Sequence, residues 1–270
     1  MLFQNASRIA RALVVLGVVC LAAEAQAQTH TLLSQNFDSL PLKDSTSPTE
    51  QAAPAVWTDV APDGWVRDNS TTPIGNPVEF QGWTFVNKDW WVRTAGDQNR
   101  SSFAAGQNTV AVADGDEYDD GTNVDPDQFN VFLRTPALSM ANKKPNSVNI
   151  SFDSSFRVEG NQTGTVDVAF VCGGCFEPNP TYTNVFKYDS SALTDGETIN
   201  TRVSIDVANP SGGVAGAPQM LVRFGNTRGG NNWWWAIDNL SITAQAVPEP
   251  SSFVLASLMG LGLLKARRRR

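Results

Sequence analysis

Short segments in which apolar and polar residues alternate recur along the chain, separated by clusters of Gly, Pro, Asn and Asp. No stretch between residues 29 and 246 keeps its apolar residues at the spacing of an amphipathic helix. A period of two places one side chain in the core and the next in water, and so predicts half-buried strands. The candidate strands are 31–37, 82–86, 90–93, 108–113, 129–134, 147–157, 165–172, 183–188, 199–207, 219–225 and 233–243.

The alternation also predicts how the strands pack. In Val148, Ile150 and Phe152, for example, one face of the strand is apolar and the other is polar. Strands of this kind form antiparallel sheets that bury one face each, so we expect an all-β, two-sheet antiparallel sandwich. Residues 41–81 are rich in Pro, Asp, Thr and Asn and lack the alternation. We expect this segment to be an extended loop that wraps the sandwich.

Composition excludes several classes of function. His30 is the single histidine of the 270 residues, so Ser-His-Asp sites, Cys-His sites and zinc sites with two imidazoles cannot be assembled. The net charge is −7, and because basic residues are concentrated at both ends, the interior is more acidic than that total. Such a surface is a poor partner for nucleic acid or anionic membranes and a better one for cations.

The N-terminus has the layout of an export signal. Arg8 and Arg11 precede an apolar run over 12–23, and small residues follow up to Ala27. This order of basic, apolar and small-residue regions predicts a secretory signal peptide over residues 1–27 with a helical apolar part. Cleavage is expected between Ala27 and Gln28.

The C-terminus combines a short motif, an apolar segment and a basic block. The motif is Pro248-Glu249-Pro250, the apolar segment covers 253–264, and four arginines end the chain. Residues 247–270 therefore resemble the PEP-CTERM sorting signal of Gram-negative bacteria. The resemblance implies processing by an exosortase-type membrane protease and export alongside extracellular polysaccharide, to the cell surface or the extracellular matrix.

The apolar C-terminal segment is short for a membrane span. A helix of about 12 residues is about 18 Å long, whereas the hydrocarbon core of a bilayer is about 30 Å thick. Residues 253–264 are therefore expected to form a short helix that anchors the protein transiently in the inner membrane. A simple tail anchor is the alternative.

Two segments resemble the first and last strands of concanavalin-like and MAM-like jelly-roll domains. They are "LSQNFDSL" and "NNWWWAIDNLSIT". The resemblance implies a jelly-roll domain over residues 28–246, with Asp38 and Asp238 close together at a structural Ca²⁺. Both carboxylates lie within apolar strands, where an unpartnered charge would be costly and a hard cation would stabilise it. Hydrogen bonds from the backbone, without a metal, are the alternative.

An acidic run, "DGDEYDDGTNVDPD", covers residues 114–127. It lacks the glutamate that an EF-hand places at the twelfth loop position, so it predicts no helix-loop-helix calcium site. Either it is an irregular calcium loop, for which Asp114 and Asp116 are the candidate ligands, or it is a solvated acidic loop.

Adjacent tryptophans offer a candidate sugar site. Neighbours on a strand point to opposite faces, so some of these rings are expected to face outward. Indole faces pack against pyranose rings while amides and carboxylates bind the hydroxyl groups. Burial of the rings under residues 41–81 is the alternative. The candidate sugar ligands are Trp90, Trp91, Trp234, Asn231 and Asn232.

Cys172 and Cys175 flank two glycines and are the cysteines that remain after removal of the predicted signal peptide. In an exported protein this spacing predicts a local disulfide.

The sequence favours a function without catalysis. No two glutamates of the predicted domain stand at i, i+2 or i, i+4, the spacing expected of a glycosidase pair on a strand. We therefore predict a non-catalytic, exported surface or matrix protein associated with exopolysaccharide or biofilm. A carbohydrate-binding module that uses exposed tryptophans is the main alternative, and a glycan-cleaving enzyme is a weaker one.

Overall fold

The computed structural model describes residues 28–47, 50–72, 78–94, 96–120, 128–172, 179–210 and 218–247. The chain divides into a main compact unit, His30–Ala244, and a smaller unit that combines Met1–Thr29 with Gln245–Arg270. Within the smaller unit, the Ala246 N–H donates to the Gln28 carbonyl (2.8 Å). The predicted signal peptide and the Pro-Glu-Pro sorting signal lie outside the described residues.

Strands dominate the described chain. They are β1 (Thr29–Gln35), β2 (Lys43–Ser45), β3 (Ala53–Thr58), β4 (Val66–Asp68), β5 (Thr84–Asn87), β6 (Thr109–Asp114), β7 (Phe129–Arg134), β8 (Leu138–Ser139), β9 (Val148–Arg157), β10 (Thr163–Cys172), β11 (Thr183–Asp189), β12 (Thr198–Val207), β13 (Pro218–Gly229) and β14 (Trp234–Gln245). The α-helices are α1 (Lys88–Thr94) and α2 (Gly115–Asp119), and short 3-10 turns cover Val78–Phe80, Arg100–Ser102 and Ser190–Ala192.

The strands form two antiparallel sheets. The eight-stranded sheet has the order β12-β9-β14-β6-β5-β3-β2, and β1 also pairs with β14. The six-stranded sheet has the order β11-β10-β13-β7-β4, and β8 also pairs with β13. The prediction of an all-β, two-sheet antiparallel jelly-roll sandwich is confirmed.

Trp235 lies at the centre of the core between the sheets. Its ring packs edge-on against Trp83, the residue before β5 (centroids 5.5 Å apart), and lies 6.0 Å from Phe224 of the opposite sheet. Gly164 faces this ring, and a Cβ built there would lie 3.2 Å from it. Strand alternation therefore places the large side chains of both sheets in one core, as the sequence pattern requires.

A second apolar layer covers the outer face of the eight-stranded sheet. Trp234 lies on the opposite face of β14 from its neighbour Trp235. Its ring packs edge-on against that of Trp91 in α1 (centroids 5.5 Å apart). Trp90 stacks on Phe80 (5.8 Å). Both faces of this sheet are consequently buried around β6, where every residue is buried.

Two predicted elements differ from the structure. Residues 90–93 belong to α1, because the Asn87 side chain accepts a hydrogen bond from the Trp90 N–H (3.0 Å) in the manner of a helix cap. Residues 41–81 are not one irregular loop but contribute β2, β3 and β4, which lie at or near the sheet edges. Part of this segment does cover the tryptophans, as the alternative interpretation required. The Gln51 carbonyl accepts from the Trp90 indole (2.7 Å).

Within the described ranges, no helix has the length and apolarity needed to cross a bilayer.

Candidate functional site

The tryptophans of the predicted sugar site are core residues. Trp90, Trp91 and Trp234 have no exposed surface. The side-chain oxygen of Asn232 is engaged within the protein, because it accepts a hydrogen bond from the Gly230 N–H (2.9 Å). Asn231 is exposed. The prediction that these tryptophans form an exposed sugar site is therefore wrong. Their rings are buried in the protein, where no sugar can reach them.

Asp38 and Asp238 are both bound by the segment 107–109. The Asp38 carboxylate accepts from the Thr109 N–H (3.1 Å) and from the Asn108 side chain (3.2 Å). The Asp238 carboxylate accepts from the Gln107 N–H (3.0 Å). The structure thus brings both residues to one short segment and gives each of them a backbone donor. A shared Ca²⁺ at this position stays a prediction.

Asp238 is the buried member of this pair. Its burial raises its pKa to about 6, and the nearby carboxylates of Asp38 and Asp153 add to the increase. The amides of Gln107 and Asn239 oppose it by donating to the charged form. The ionised form of Asp238 is therefore less favourable in the folded chain than in water.

The first residue of the acidic run is a structural anchor. Asp114 ends β6, and its carboxylate caps α2 by accepting from the Glu117 N–H (3.3 Å). It also accepts from the Trp91 indole (2.8 Å) and from Arg100 (3.1 Å). These donors already engage the carboxylate that the sequence nominates as a calcium ligand. Asp116 is half-buried beside it, and burial followed by the charge of Asp114 raises the pKa of Asp116 to about 6. Calcium binding at Asp114 and Asp116 stays a prediction.

Arg100 is fully buried against this carboxylate. It pairs with Glu117 as well as with Asp114, and its guanidinium lies over the rings of Trp91 (5.5 Å) and Trp234 (5.3 Å). Burial lowers the pKa of Arg100, but the two carboxylates outweigh burial and raise it. The guanidinium is therefore charged and balances part of the acidic run.

The chain reaches Arg100 through a strained turn. Asp97, Gln98 and Asn99 are all left-handed, with φ of 63°, 45° and 77°. Aspartate and asparagine adopt this region more readily than other residues with side chains, so the local cost falls mainly on Gln98.

Glu50 joins the cluster from a distant part of the chain. Glu50, Glu117 and Asp120 place one carboxylate oxygen each within 4.8 Å of one another. Burial raises the pKa of Glu50, and burial followed by the charge of Asp114 raises the pKa of Glu117 to about 9. Burial followed by the charge of Asp114 also raises the pKa of Asp120. Residues 121–127 lie outside the described chain.

A groove on the outer face of the six-stranded sheet is the second candidate site. Phe132 and Arg134 point to this face because their neighbours Val131 and Leu133 are buried in the core. The groove has a volume of about 310 Å³. Its lining residues define what we call the sheet groove: Val66, Asp68, Phe132, Arg134, Asn179, Pro180, Tyr182 and Arg223.

Arg223 is one of the two arginines that line the sheet groove. Its guanidinium lies between the rings of Tyr182 (3.9 Å) and Phe132 (4.4 Å) and is paired with Asp167 (2.9 Å). Arg134, by contrast, forms no ion pair with the described carboxylates. The groove thus combines aromatic surface with the guanidinium of Arg134, which hydrogen-bonds Tyr182 and, with five N–H donors in all, can also donate to acceptor oxygens of a ligand.

Cys172 is disulfide-bonded. Its predicted partner Cys175 lies outside the described residues, so the pairing stays a prediction.

Sequence reasoning missed the residues that complete both sites. Glu50 and Arg100 carry no local pattern that points to Asp114, since both lie outside the strands and only tertiary packing brings them to it. The outward positions of β7, Phe132 and Arg134, could have been found from strand alternation, because both lie on the polar face of a predicted strand.

The chain is similar to known proteins in its structure but not detectably in its sequence. No protein-family model matches the chain, and no curated protein matches its sequence. Among solved structures, the K3 cleaved adhesin domain of Lys-gingipain from Porphyromonas gingivalis w83 is 13% identical, with 80% of this chain and 99% of that chain covered and a TM-score of 0.40. TmCBM61, in complex with beta-1,4-galactotriose, is 14% identical, with 67% and 88% covered and a TM-score of 0.34. The Stig cyclase Fisc from Fischerella sp. TAU is 14% identical, with 81% and 99% covered and a TM-score of 0.43. Identities this low carry no information about binding or catalysis.

Proposed function

We propose that this chain is an exported, non-catalytic protein of the cell surface or extracellular matrix whose sandwich binds extracellular polysaccharide in the sheet groove. The observation that carries the proposal is the groove itself. Two half-buried aromatic rings, Phe132 and Tyr182, flank arginine donors, and Asp68 supplies a carboxylate acceptor on the same open surface. Sugars present apolar C–H faces and hydroxyl groups that match this combination.

The position of the carboxylates supports binding over cleavage. Glycosidases need two carboxyl groups about 5–10 Å apart that both face the substrate. Among the described residues that line the sheet groove, Asp68 alone carries a carboxylate. The close pair Glu50 and Glu117 is 5% and 1% exposed, and so offers no surface to a polymer.

Titration with polysaccharides tests the groove. Purified protein is mixed with a neutral and a uronic-acid-rich bacterial exopolysaccharide, and binding is followed by affinity electrophoresis and calorimetry. Tyr182→Ala and Arg134→Gln should each weaken binding roughly tenfold, because each removes a contact of about 1.4 kcal/mol. Trp233→Ala is the matched control, since Trp233 is a half-buried aromatic residue outside the groove. Binding that both groove variants retain, or that the Trp233 variant loses, contradicts the groove assignment.

Localisation experiments test the proposed route of export. Deletion of residues 248–270 should prevent sorting to the surface or matrix, and replacement of Pro248-Glu249-Pro250 by three alanines should have the same effect if an exosortase-type protease reads this motif. An unchanged distribution of both variants between cell, membrane and matrix fractions would refute the sorting signal while leaving polysaccharide binding untouched.

A further inference from the structure

The carboxylates in and around α2 outnumber the cations that form ion pairs with them. Asp114, Asp116, Glu117 and Asp120 come from the acidic run, and Glu50 comes from the segment before β3. In the described chain, the one cation paired with any of them is Arg100, which engages Asp114 and Glu117. Asp114 is fully engaged by hydrogen bonds from Arg100, the Trp91 indole and the backbone. The excess negative charge therefore falls on the remaining carboxylates.

Two oxygens of this cluster accept no hydrogen bond from the described residues. Glu50 Oε1 and Glu117 Oε2 are both buried, in residues that are 5% and 1% exposed. The opposite oxygen of each carboxylate is engaged, by the Thr94 hydroxyl and by Arg100 respectively. A buried acceptor without a donor is costly, so these two oxygens require either a proton shared between Glu50 and Glu117 or a cation.

The separation of the oxygens suits a large divalent cation. One oxygen each from Glu50, Glu117 and Asp120 lies within 4.8 Å of the other two. Calcium binds oxygens at 2.3–2.6 Å, so ligands on opposite sides of one ion lie about 4.6–5.2 Å apart. The spacing of the three oxygens is therefore in the range that one calcium ion spans. Asp120 is exposed, which leaves one side of the cluster open to the ion and to its water ligands.

We propose that Glu50, Glu117 and Asp120 bind a calcium ion that ties the segment before β3 to α2. This site is separate from the calcium predicted at Asp38 and Asp238, and it does not depend on polysaccharide binding in the sheet groove. Arg100 pairs with Asp114 and with Glu117 Oε1, which leaves Glu117 Oε2 for the ion.

Calorimetric titration of the full chain with CaCl₂, after removal of bound metal by a chelator, tests the site. Glu50→Gln and Glu117→Gln should each weaken one calcium-binding event at least tenfold. Two matched variants should keep the affinity of that event within about twofold. Asp238→Asn removes a carboxylate of the other predicted site, and Glu79→Gln alters a buried glutamate bound by Ser45 (2.9 Å).

A third ligand variant distinguishes loss of calcium binding from misfolding. Asp120 is exposed, so Asp120→Asn should leave the circular dichroism spectrum in chelator unchanged while it weakens calcium binding severalfold. MgCl₂ in place of CaCl₂ should bind more weakly, since magnesium requires shorter and more regular coordination.

Three results would overturn the proposal. Calcium affinity that is unchanged in Glu117→Gln and Asp120→Asn would exclude these carboxylates as ligands. A loss confined to Asp238→Asn would place the ion at Asp38 and Asp238 instead. No heat of binding up to millimolar CaCl₂ would show that the two buried glutamates share a proton and not a metal. None of these results bears on the sheet groove, whose own test is polysaccharide binding.

Discussion

Replacement of Arg100 by methionine probes the buried ion network most directly. Methionine keeps an unbranched apolar stem, but it is shorter than arginine and removes both the positive charge and the guanidinium that lies over the indoles of Trp91 and Trp234. Asp114 and Glu117 then face each other without a cation in the buried layer under α2. We expect the variant to fold and to be markedly less stable.

The magnitude follows from the burial of all three groups. Removing one partner of a buried ion pair costs about 3–5 kcal/mol, because it leaves an uncompensated charge. Burial and the charge of Asp114 raise the pKa of Glu117 to about 9, so Glu117 is largely protonated at pH 7 and the loss falls at the lower end of that range. The lost cation–π contacts, about 0.5–2 kcal/mol, are partly replaced by sulfur–aromatic contacts. We therefore expect a loss of about 3 kcal/mol in the free energy of unfolding.

Urea denaturation at pH 7 in the presence of a chelator measures this loss without contributions from bound metal. With an m-value of about 2 kcal/mol/M, the midpoint of Arg100→Met should fall by about 1.5 M. Arg93→Met is the matched control, because Arg93 is exposed on α1, and its midpoint should change by less than about 0.3 M. A loss below 1 kcal/mol for Arg100→Met, or equal losses in both variants, would refute the role of Arg100 as the buried counter-ion.

Three further predictions concern other parts of the domain. Burial raises the pKa of Asp238 from its ordinary value of 3.8 to about 6, so the folded state binds this proton more tightly than the unfolded state does. The free energy of unfolding should therefore fall as the pH rises from about 4 to about 6, by at most about 3 kcal/mol. Asp238→Asn should flatten that decline in thermal unfolding in chelator, and parallel curves for variant and wild type would contradict it. Gly115→Ala should cost at least about 2 kcal/mol in urea denaturation, because the added Cβ would lie 2.6 and 2.8 Å from two backbone carbonyl oxygens; a neutral effect would show that the start of α2 can shift. Alkylation of the intact exported protein should label neither Cys172 nor Cys175, and reduction should expose both; labelling before reduction would exclude the predicted disulfide.

Strand alternation predicted the long strands well. β9, β12 and β13 were all located within a few residues, because a period of two is a local property of any strand with one wet face. The short strands β2, β3 and β4 were missed. They have three to six residues, lie at or near sheet edges, and are held largely by backbone hydrogen bonds that do not depend on side-chain type.

The tryptophan pairs show the limit of a local pattern. Trp234 and Trp235 do occupy opposite faces of β14, as alternation predicts, yet both are fully buried. A sheet face that would be wet in a plain sandwich is covered here by α1 and α2, and the sequence of β14 alone cannot indicate such a cover. Trp90 and Trp91 are themselves part of that cover, because the Asn87 cap starts a helix where the residue types favour a strand.

The sequence by itself determined the fold class, the acidity of the domain and the absence of imidazole chemistry, since these depend on composition and on local periodicity. Only the tertiary structure decided which charged groups meet. Glu50 and Arg100 reach Asp114 and Glu117 because the strand order and the covering layer bring separate parts of the chain together. Burial then sets the energetics of the cluster, because removal of water makes each uncompensated carboxylate costly and each counter-ion decisive.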